Sequence, residues 1–102
     1  MQKDLEDVLK NNFDMVIDGK ELDTESEYFK RLQLALAARV ELLINTNLEK
    51  LLQILYRVDV DQRLSDQAFE LGEVKKISMK LAEVIIARQL RKIDYAKNFY
   101  KK

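Results

Sequence analysis

The residues most suggestive of chemistry lie in the segment DVDQRLSDQAFE, residues 59–70. Asp59, Asp61 and Glu70 stand at its first, third and twelfth positions, where a calcium-binding loop carries oxygen ligands. Such a loop also needs an oxygen ligand at its fifth position and glycine at its sixth, where the backbone turns sharply. Arg63 and Leu64 occupy these two positions. A cation repels the metal and leucine does not readily take that backbone turn, so we expect no calcium here.

The same aspartates are better explained as parts of a turn between two helices. Asp61 precedes a segment with helical spacing, and its carboxylate can accept hydrogen bonds from the free amides at the start of that helix. Val60, just before it, is placed to pack onto the new helix as a hydrophobic staple. The sequence therefore predicts a turn that ends in a helix cap.

The composition removes most other catalytic chemistry. The chain has no cysteine and no histidine, which excludes disulfides, thiolate zinc sites and the commonest general base. Carboxylate pairs remain, and Asp59 with Glu83 is one candidate, but nothing in the sequence places the two together. Phosphate-binding loops and nucleophile motifs are absent from the sequence. We expect no catalytic residue, cofactor or metal, and hence a protein that is not an enzyme.

The apolar residues favour helices throughout the 102 residues, which we take as a single domain. Proline is absent, and Gly19 and Gly72 are the two glycines, so little interrupts a helix. We predict an all-α fold, an antiparallel bundle of four to five helices with a long C-terminal helix. No apolar run approaches the roughly 20 residues that span a membrane, so we expect a cytoplasmic protein without membrane contact.

Several signals predict where the helices begin and end. The first helix is predicted to end before Gly19, although a hairpin around Asp18 and Gly19 stays open as an alternative. TESE at 24–27 and TNLE at 46–49 read as capping boxes. Gly72 is expected to close a short fourth helix before a final helix at about 73–99. The predicted core of the first two helices comprises Leu5, Val8, Leu9, Phe13, Val16, Ile17, Tyr28, Leu32, Ala35, Leu36, Val40, Leu43 and Ile44.

Charge is distributed unevenly along this neutral chain. Residues 1–74 contain 9 basic and 16 acidic residues, whereas residues 75–102 contain 9 basic and 2 acidic ones. The basic C-terminal helix packs beside acidic helices of the same domain, or it meets an anionic partner. Arg88 lies on the apolar stripe of this helix, where it can cover the core with its stem and pair with an acid such as Glu83 or Asp59.

The final helix is also our first choice for a partner-binding surface. Its apolar face, widened by Ile86 and Leu90, looks too broad for one neighbouring helix. We expect a protein–protein interaction or self-association module, with a homo-oligomer or another protein as partner. The alternative is a nucleic-acid-binding accessory protein that uses the same basic helix, although a pI near 6.3 is low for that class. The candidate partner-binding residues are Arg88, Leu90, Arg91, Lys92, Ile93, Tyr95, Lys97 and Phe99.

Two stretches carry a family resemblance. INTNLEKLLQILYRVDVDQRLSDQAF and the later LAEVIIARQLRKI resemble small helical bacterial proteins in which a leucine-rich helix leads into an LYR turn and a helix like IIARQLRKI closes the chain. The resemblance covers about the last 60 residues. It implies an all-α cytoplasmic protein and brings no activity, ligand or catalytic residue.

Overall fold

The computed structural model describes residues 2–17 and 25–100, with side chains for 3–17 and 27–94. The described residues form five helices and contain no strand. The helices are α1 (Gln2–Phe13), α2 (Glu25–Thr46), α3 (Leu48–Arg57), α4 (Gln62–Phe69) and α5 (Val74–Tyr100). The predicted all-α bundle with a long C-terminal helix is confirmed. None of the described helices is long and apolar enough to cross a membrane.

Helix α5 is the centre of the bundle. It contacts α1, α2 and α4, so apolar residues on several sides of it are covered at once. Leu81, Ala82 and Ile85 are completely buried, Ile86 is buried, and Leu90 is partly buried against the same core. The breadth of its apolar face therefore follows from contact with more than one helix of its own chain.

Helix α1 ends earlier than predicted. It stops at Phe13, and Asp14 takes a left-handed backbone conformation with φ of 54°. Aspartate tolerates this conformation, and its amide still donates to the Lys10 carbonyl, so Asp14 does the work expected of glycine after a helix. The chain turns away here, which leaves Val16 84% exposed rather than in the core. Gly19 and the alternative hairpin at Asp18 lie outside the described residues.

A hydrogen bond ties α1 to α2. The Tyr28 hydroxyl donates to the Oε2 atom of Glu6, and the Tyr28 ring packs edge-on against Phe29 with centroids 5.4 Å apart. Burial, together with the hydrogen bond to the Glu6 carboxylate, raises the pKa of Tyr28. The hydroxyl therefore keeps its proton and remains a donor at neutral pH.

The junction between α2 and α3 is a single residue. Asn47 is the N-cap of α3, and its Oδ1 atom accepts from the Lys50 amide at 3.1 Å. The predicted capping box at Thr46 is wrong, because α2 continues through Thr46 and its hydroxyl donates back to the Leu42 carbonyl. The other predicted capping residue, Thr24, lies outside the described residues. Two helices thus meet at a bend with almost no linker.

The short helix α4 lies between two turns that both need unusual backbone angles. Asp59, after α3, has φ of 65°, and Gly72, after α4, has φ of 81°. Gly72 closes α4 as predicted, since glycine adopts positive φ without steric cost. Asp61 is the N-cap of α4, with its carboxylate accepting from the Arg63 amide at 2.8 Å. The predicted cap is therefore confirmed.

Candidate interaction surface

The residues predicted to bind a partner fall into three groups along α5. Leu90 and Ile93 are half-buried and pack against the core, and Arg88 is half-buried as well. Arg91 and Lys92 are exposed. The structure describes side chains only as far as residue 94 of this helix, so those of Tyr95, Lys97 and Phe99 are not among them. Packing within the chain thus accounts for part of the apolar face, and a partner-binding role for these residues stays a prediction.

Arg88 binds the turn between α3 and α4 through two hydrogen bonds to Asp59. Its Nε atom donates to the Asp59 carbonyl at 3.0 Å, and its Nη2 atom donates to the Asp59 carboxylate at 2.9 Å. The hydrogen bond from Arg88, reinforced by its charge, lowers the pKa of Asp59 below its ordinary value. The proposed pairing of Arg88 with Asp59 is therefore confirmed. It joins a basic residue of α5 to the acidic part of the chain.

Gln89 holds the same turn from inside. Its side chain is almost fully buried, and its Nε2 atom donates to the Val58 carbonyl at 2.6 Å. Arg88 and Gln89, which are adjacent in α5, thus donate hydrogen bonds to the adjacent carbonyls of Asp59 and Val58. We call these two residues and their contacts with the turn the clamp. The sequence offered one weak signal for this role: a glutamine at helical spacing from the apolar residues Ile85, Ile86 and Ile93.

The Arg88–Asp59 pair makes the stability of the fold depend on pH in acidic solution. Because the pKa of Asp59 is lowered in the folded protein, the Arg88–Asp59 pair contributes stability above the ordinary carboxyl pKa of about 4 and loses it as pH falls through the folded value. We expect Arg88→Met to be less stable than wild type at pH 6, with a smaller difference at pH 3. Urea unfolding followed by circular dichroism at both pH values measures this.

Arg91→Met is the matched control for that experiment. It removes the same charge from the same helix, and the Arg91 side chain has no hydrogen bond or ion pair within the described part of the chain. The difference in free energy of unfolding between Arg91→Met and wild type should change less between pH 6 and pH 3. If Arg88→Met lowered the free energy of unfolding equally at both pH values, the contribution of Arg88 to stability would not depend on the ionisation of Asp59.

A cleft of about 550 Å³ opens beside this clamp, between the turn and α5. It brings together Asp59 and Glu83, the carboxylate pair considered from the sequence. Asp59 is bound by Arg88, and Glu83 lies 3.6 Å from the Lys80 ammonium. The charged residues of the cleft are therefore balanced, with both carboxylates already paired to cations.

The carboxylates of the calcium-like segment have structural roles. Asp61 caps α4 and Asp59 binds Arg88. The hydrogen bonds from the Arg63 amide and side chain lower the pKa of Asp61. Within residues 2–17 and 25–100, acidic side chains form no group of three that is placed to hold a metal ion. The two aspartates of this segment thus build a turn and a helix cap.

A surface that the sequence did not single out lies on α3. Leu48, Leu52 and Tyr56 follow one another at intervals of four residues and are all exposed, Tyr56 by 88%. The core side of α3 is formed instead by Leu51, Ile54 and Leu55. We call Leu48, Leu52 and Tyr56 the α3 stripe. Its signal was present in the sequence, because six large apolar residues in ten span too wide an arc for one packed face.

No protein-family model, curated protein or solved structure matches the chain. The resemblance to small helical bacterial proteins stays a prediction.

Proposed function

We propose that the chain is a non-enzymatic protein-interaction module that binds an amphipathic helix of another protein through the α3 stripe. The observation that carries this proposal is the alignment of Leu48, Leu52 and Tyr56 on one side of α3, all exposed to solvent. Single exposed leucines are ordinary on protein surfaces. A row of large apolar side chains that the fold leaves unpacked is a feature of interaction surfaces.

The spacing of the α3 stripe suits a helical partner. Eight residues separate Leu48 from Tyr56, which gives a ridge about 12 Å long on the helix surface. Two helices pack when the ridge of one fits the groove of the other, and apolar anchors at helical spacing are the mark of this mode of recognition. Tyr56 supplies a large apolar ring with a polar tip, a side chain enriched at binding hot spots.

One charged side chain of α3, that of Glu49, lies beside the stripe, where it can help to select a partner. Glu49, Lys50 and Arg57 are exposed. The Nη1 atom of Arg57 donates to the Asn12 amide oxygen of α1 at 3.2 Å, so this cation is already engaged. Exposed charges at a rim influence association rate and specificity more than affinity. The apolar stripe is therefore the part we expect to provide the binding energy.

Site-specific photo-crosslinking tests this proposal in cells that produce the protein. A photoreactive residue at position 56 is expected to crosslink one discrete partner, whereas the same residue at position 53 should not, because Gln53 is an exposed polar position of the same helix. Binding is then reconstituted with the purified partner. Tyr56→Ser and Leu52→Asp should each weaken it by about 30-fold, and Gln53→Asp should leave it nearly unchanged.

Two results would contradict the proposal. Crosslinking of equal yield and pattern from positions 53 and 56 would mean that the α3 stripe is not a preferred contact. Reconstituted binding that survives Leu52→Asp with the fold intact would place the partner on another surface.

Nucleic-acid binding by α5 is the second candidate function. It is supported by Lys75, Arg91 and Lys92, which are exposed and have no ion pair within the described part of the chain. Against it, Lys76, Lys80 and Arg88 of the same helix pair with acidic residues of the chain. Fluorescence anisotropy of labelled DNA and RNA discriminates the two, since phosphate contacts weaken steeply with salt whereas an apolar interface does not.

A further inference from the structure

The outer side of α2 is apolar along its middle turns. Between Arg31 and Asn45 the exposed positions are Leu34, Ala35, Ala38 and Leu42, all of them apolar. Leu34 is 52% exposed and Leu42 is 50% exposed. We call these four residues the α2 face. They lie opposite the core side of the helix, so helix packing within the chain does not explain them.

The α2 face is a ridge with a groove on each side of its N-terminal end. One groove, of about 400 Å³, lies between α2 and α5 and includes Lys30 and Gln33 in its wall. The other, of about 370 Å³, lies between α2 and residues 15–17 and includes Ala35. A ridge of small and large apolar side chains between two grooves is a shape that a second helix can pack against.

Charge near the ridge favours one particular occupant. Lys30 and Glu41 lie on the same edge of α2, because eleven residues make three turns plus about 20°. They are about 16 Å apart along the helix axis, and neither side chain has a hydrogen bond or ion pair within the described residues. An antiparallel twofold copy of α2 keeps this edge on one side of the contact and brings Lys30 of each copy opposite Glu41 of the other. A parallel twofold copy places the two edges on opposite sides of the contact, so these charges do not meet.

The apolar residues fit the same arrangement. The midpoint between Lys30 and Glu41 falls between residues 35 and 36, and the midpoint between Leu34 and Ala38 falls at residue 36. A single twofold axis near residue 36 therefore pairs both sets. Leu34 of each copy then packs over Ala38 of the other, so a large side chain meets a small one. An isologous contact of this kind closes on itself as a dimer.

We infer that the α2 face binds a second copy of this chain, as an antiparallel twofold dimer with its axis near residue 36. This inference goes beyond the proposed function, which concerns the α3 stripe. A strip of α2 about 33 Å long and 10 Å wide is small beside the roughly 800 Å² per partner of a standard interface. The dimer is therefore weak, with a dissociation constant in the micromolar range or above.

Sedimentation equilibrium of the purified chain, from about 1 µM to 1 mM, tests the dimer. The wild type should pass from monomer to dimer within this range. Ala38→Glu should weaken dimerisation at least 10-fold, because it places a carboxylate at the centre of the contact. Lys50→Glu on α3 is the control and should leave the dimer unchanged. Circular dichroism checks that both variants remain folded.

A charge reversal tests the antiparallel pairing. Lys30→Glu alone and Glu41→Lys alone should each weaken the dimer, and the double variant should restore it to within about threefold of wild type at low salt. An equimolar mixture of Leu34→Cys and Ala38→Cys chains should form mixed disulfides faster than either variant forms its own. The absence of native cysteine keeps this readout clean.

The outcomes separate this inference from the proposed function. A chain that stays monomeric up to about 1 mM overturns the dimer and leaves the α3 stripe free for another protein. A dimer that survives Ala38→Glu but is lost in Leu52→Asp also overturns it, because the α3 stripe would then be the self-association surface. Single charge reversals that leave the dimer unchanged would show that Lys30 and Glu41 do not meet, and would overturn the antiparallel pairing.

Discussion

Ile85→Ala is expected to lower the free energy of unfolding by about 2–5 kcal/mol, the range for removing a buried isoleucine side chain without refilling its volume. Ile85 is completely buried in α5. Because α5 contacts α1, α2 and α4, a cavity there cannot be closed by moving one helix alone. The total free energy of unfolding of a native protein is about 5–15 kcal/mol, so this loss is a large fraction of the stability of the fold. Urea unfolding followed by circular dichroism measures it.

Met79→Ala is the matched control, since Met79 lies on the exposed side of the same helix. It removes a side chain of similar size and leaves no buried cavity, so its effect should fall well below that of Ile85→Ala. Ile85→Val should cost about 0.5–1.5 kcal/mol. Equal losses for Ile85→Ala and Met79→Ala would contradict the central place that the structure gives to α5.

Gln89→Leu is expected to lower the free energy of unfolding by about 1–3 kcal/mol, the cost of leaving a buried polar group without its partner. Leucine fills a similar volume but donates no hydrogen bond, so the Val58 carbonyl loses the donor that lies 2.6 Å away. Amide hydrogen exchange around residues 58–60 should become faster as well. The reason is that the turn loses one of its three hydrogen bonds to α5, and only those from Arg88 remain.

Gln67→Leu provides the comparison for that experiment, since Gln67 is an exposed glutamine of α4. A surface substitution of this kind usually changes stability by less than about 0.5 kcal/mol. If Gln89→Leu proved equally neutral, the Val58 carbonyl would be satisfied in another way and the clamp would consist of Arg88 alone.

The helices followed from the sequence because their apolar spacing is long and regular, while their ends depended on single residues. Gly72 and Asp61 were identified correctly, since glycine after a helix and aspartate before one act through local backbone geometry. Asp14 was missed because glycine is the usual residue in a left-handed conformation. Asn47 was missed because Thr46, one residue before it, and Glu49, two residues after it, offered a competing capping pattern.

The candidate surfaces were harder to predict than the fold. An apolar residue on a helix signals burial, and the sequence does not say whether a neighbouring helix arrives to bury it. Leu51 and Leu52 are adjacent and identical in type, yet Leu51 is buried and Leu52 is exposed. Arg88 and Asp59 were proposed as partners because their types match. Gln89 and Val58, 31 residues apart, carry no such signal.

The position of α5 along the chain has a consequence for synthesis. The ribosome makes α1 to α4 first, and their inward faces have no α5 to pack against until its residues emerge. At typical elongation rates the 27 residues of α5 take about 1–5 s to add. Throughout that interval the nascent chain carries uncovered apolar helices, a substrate for chaperones. Its folding is therefore completed only once α5 is free of the ribosome.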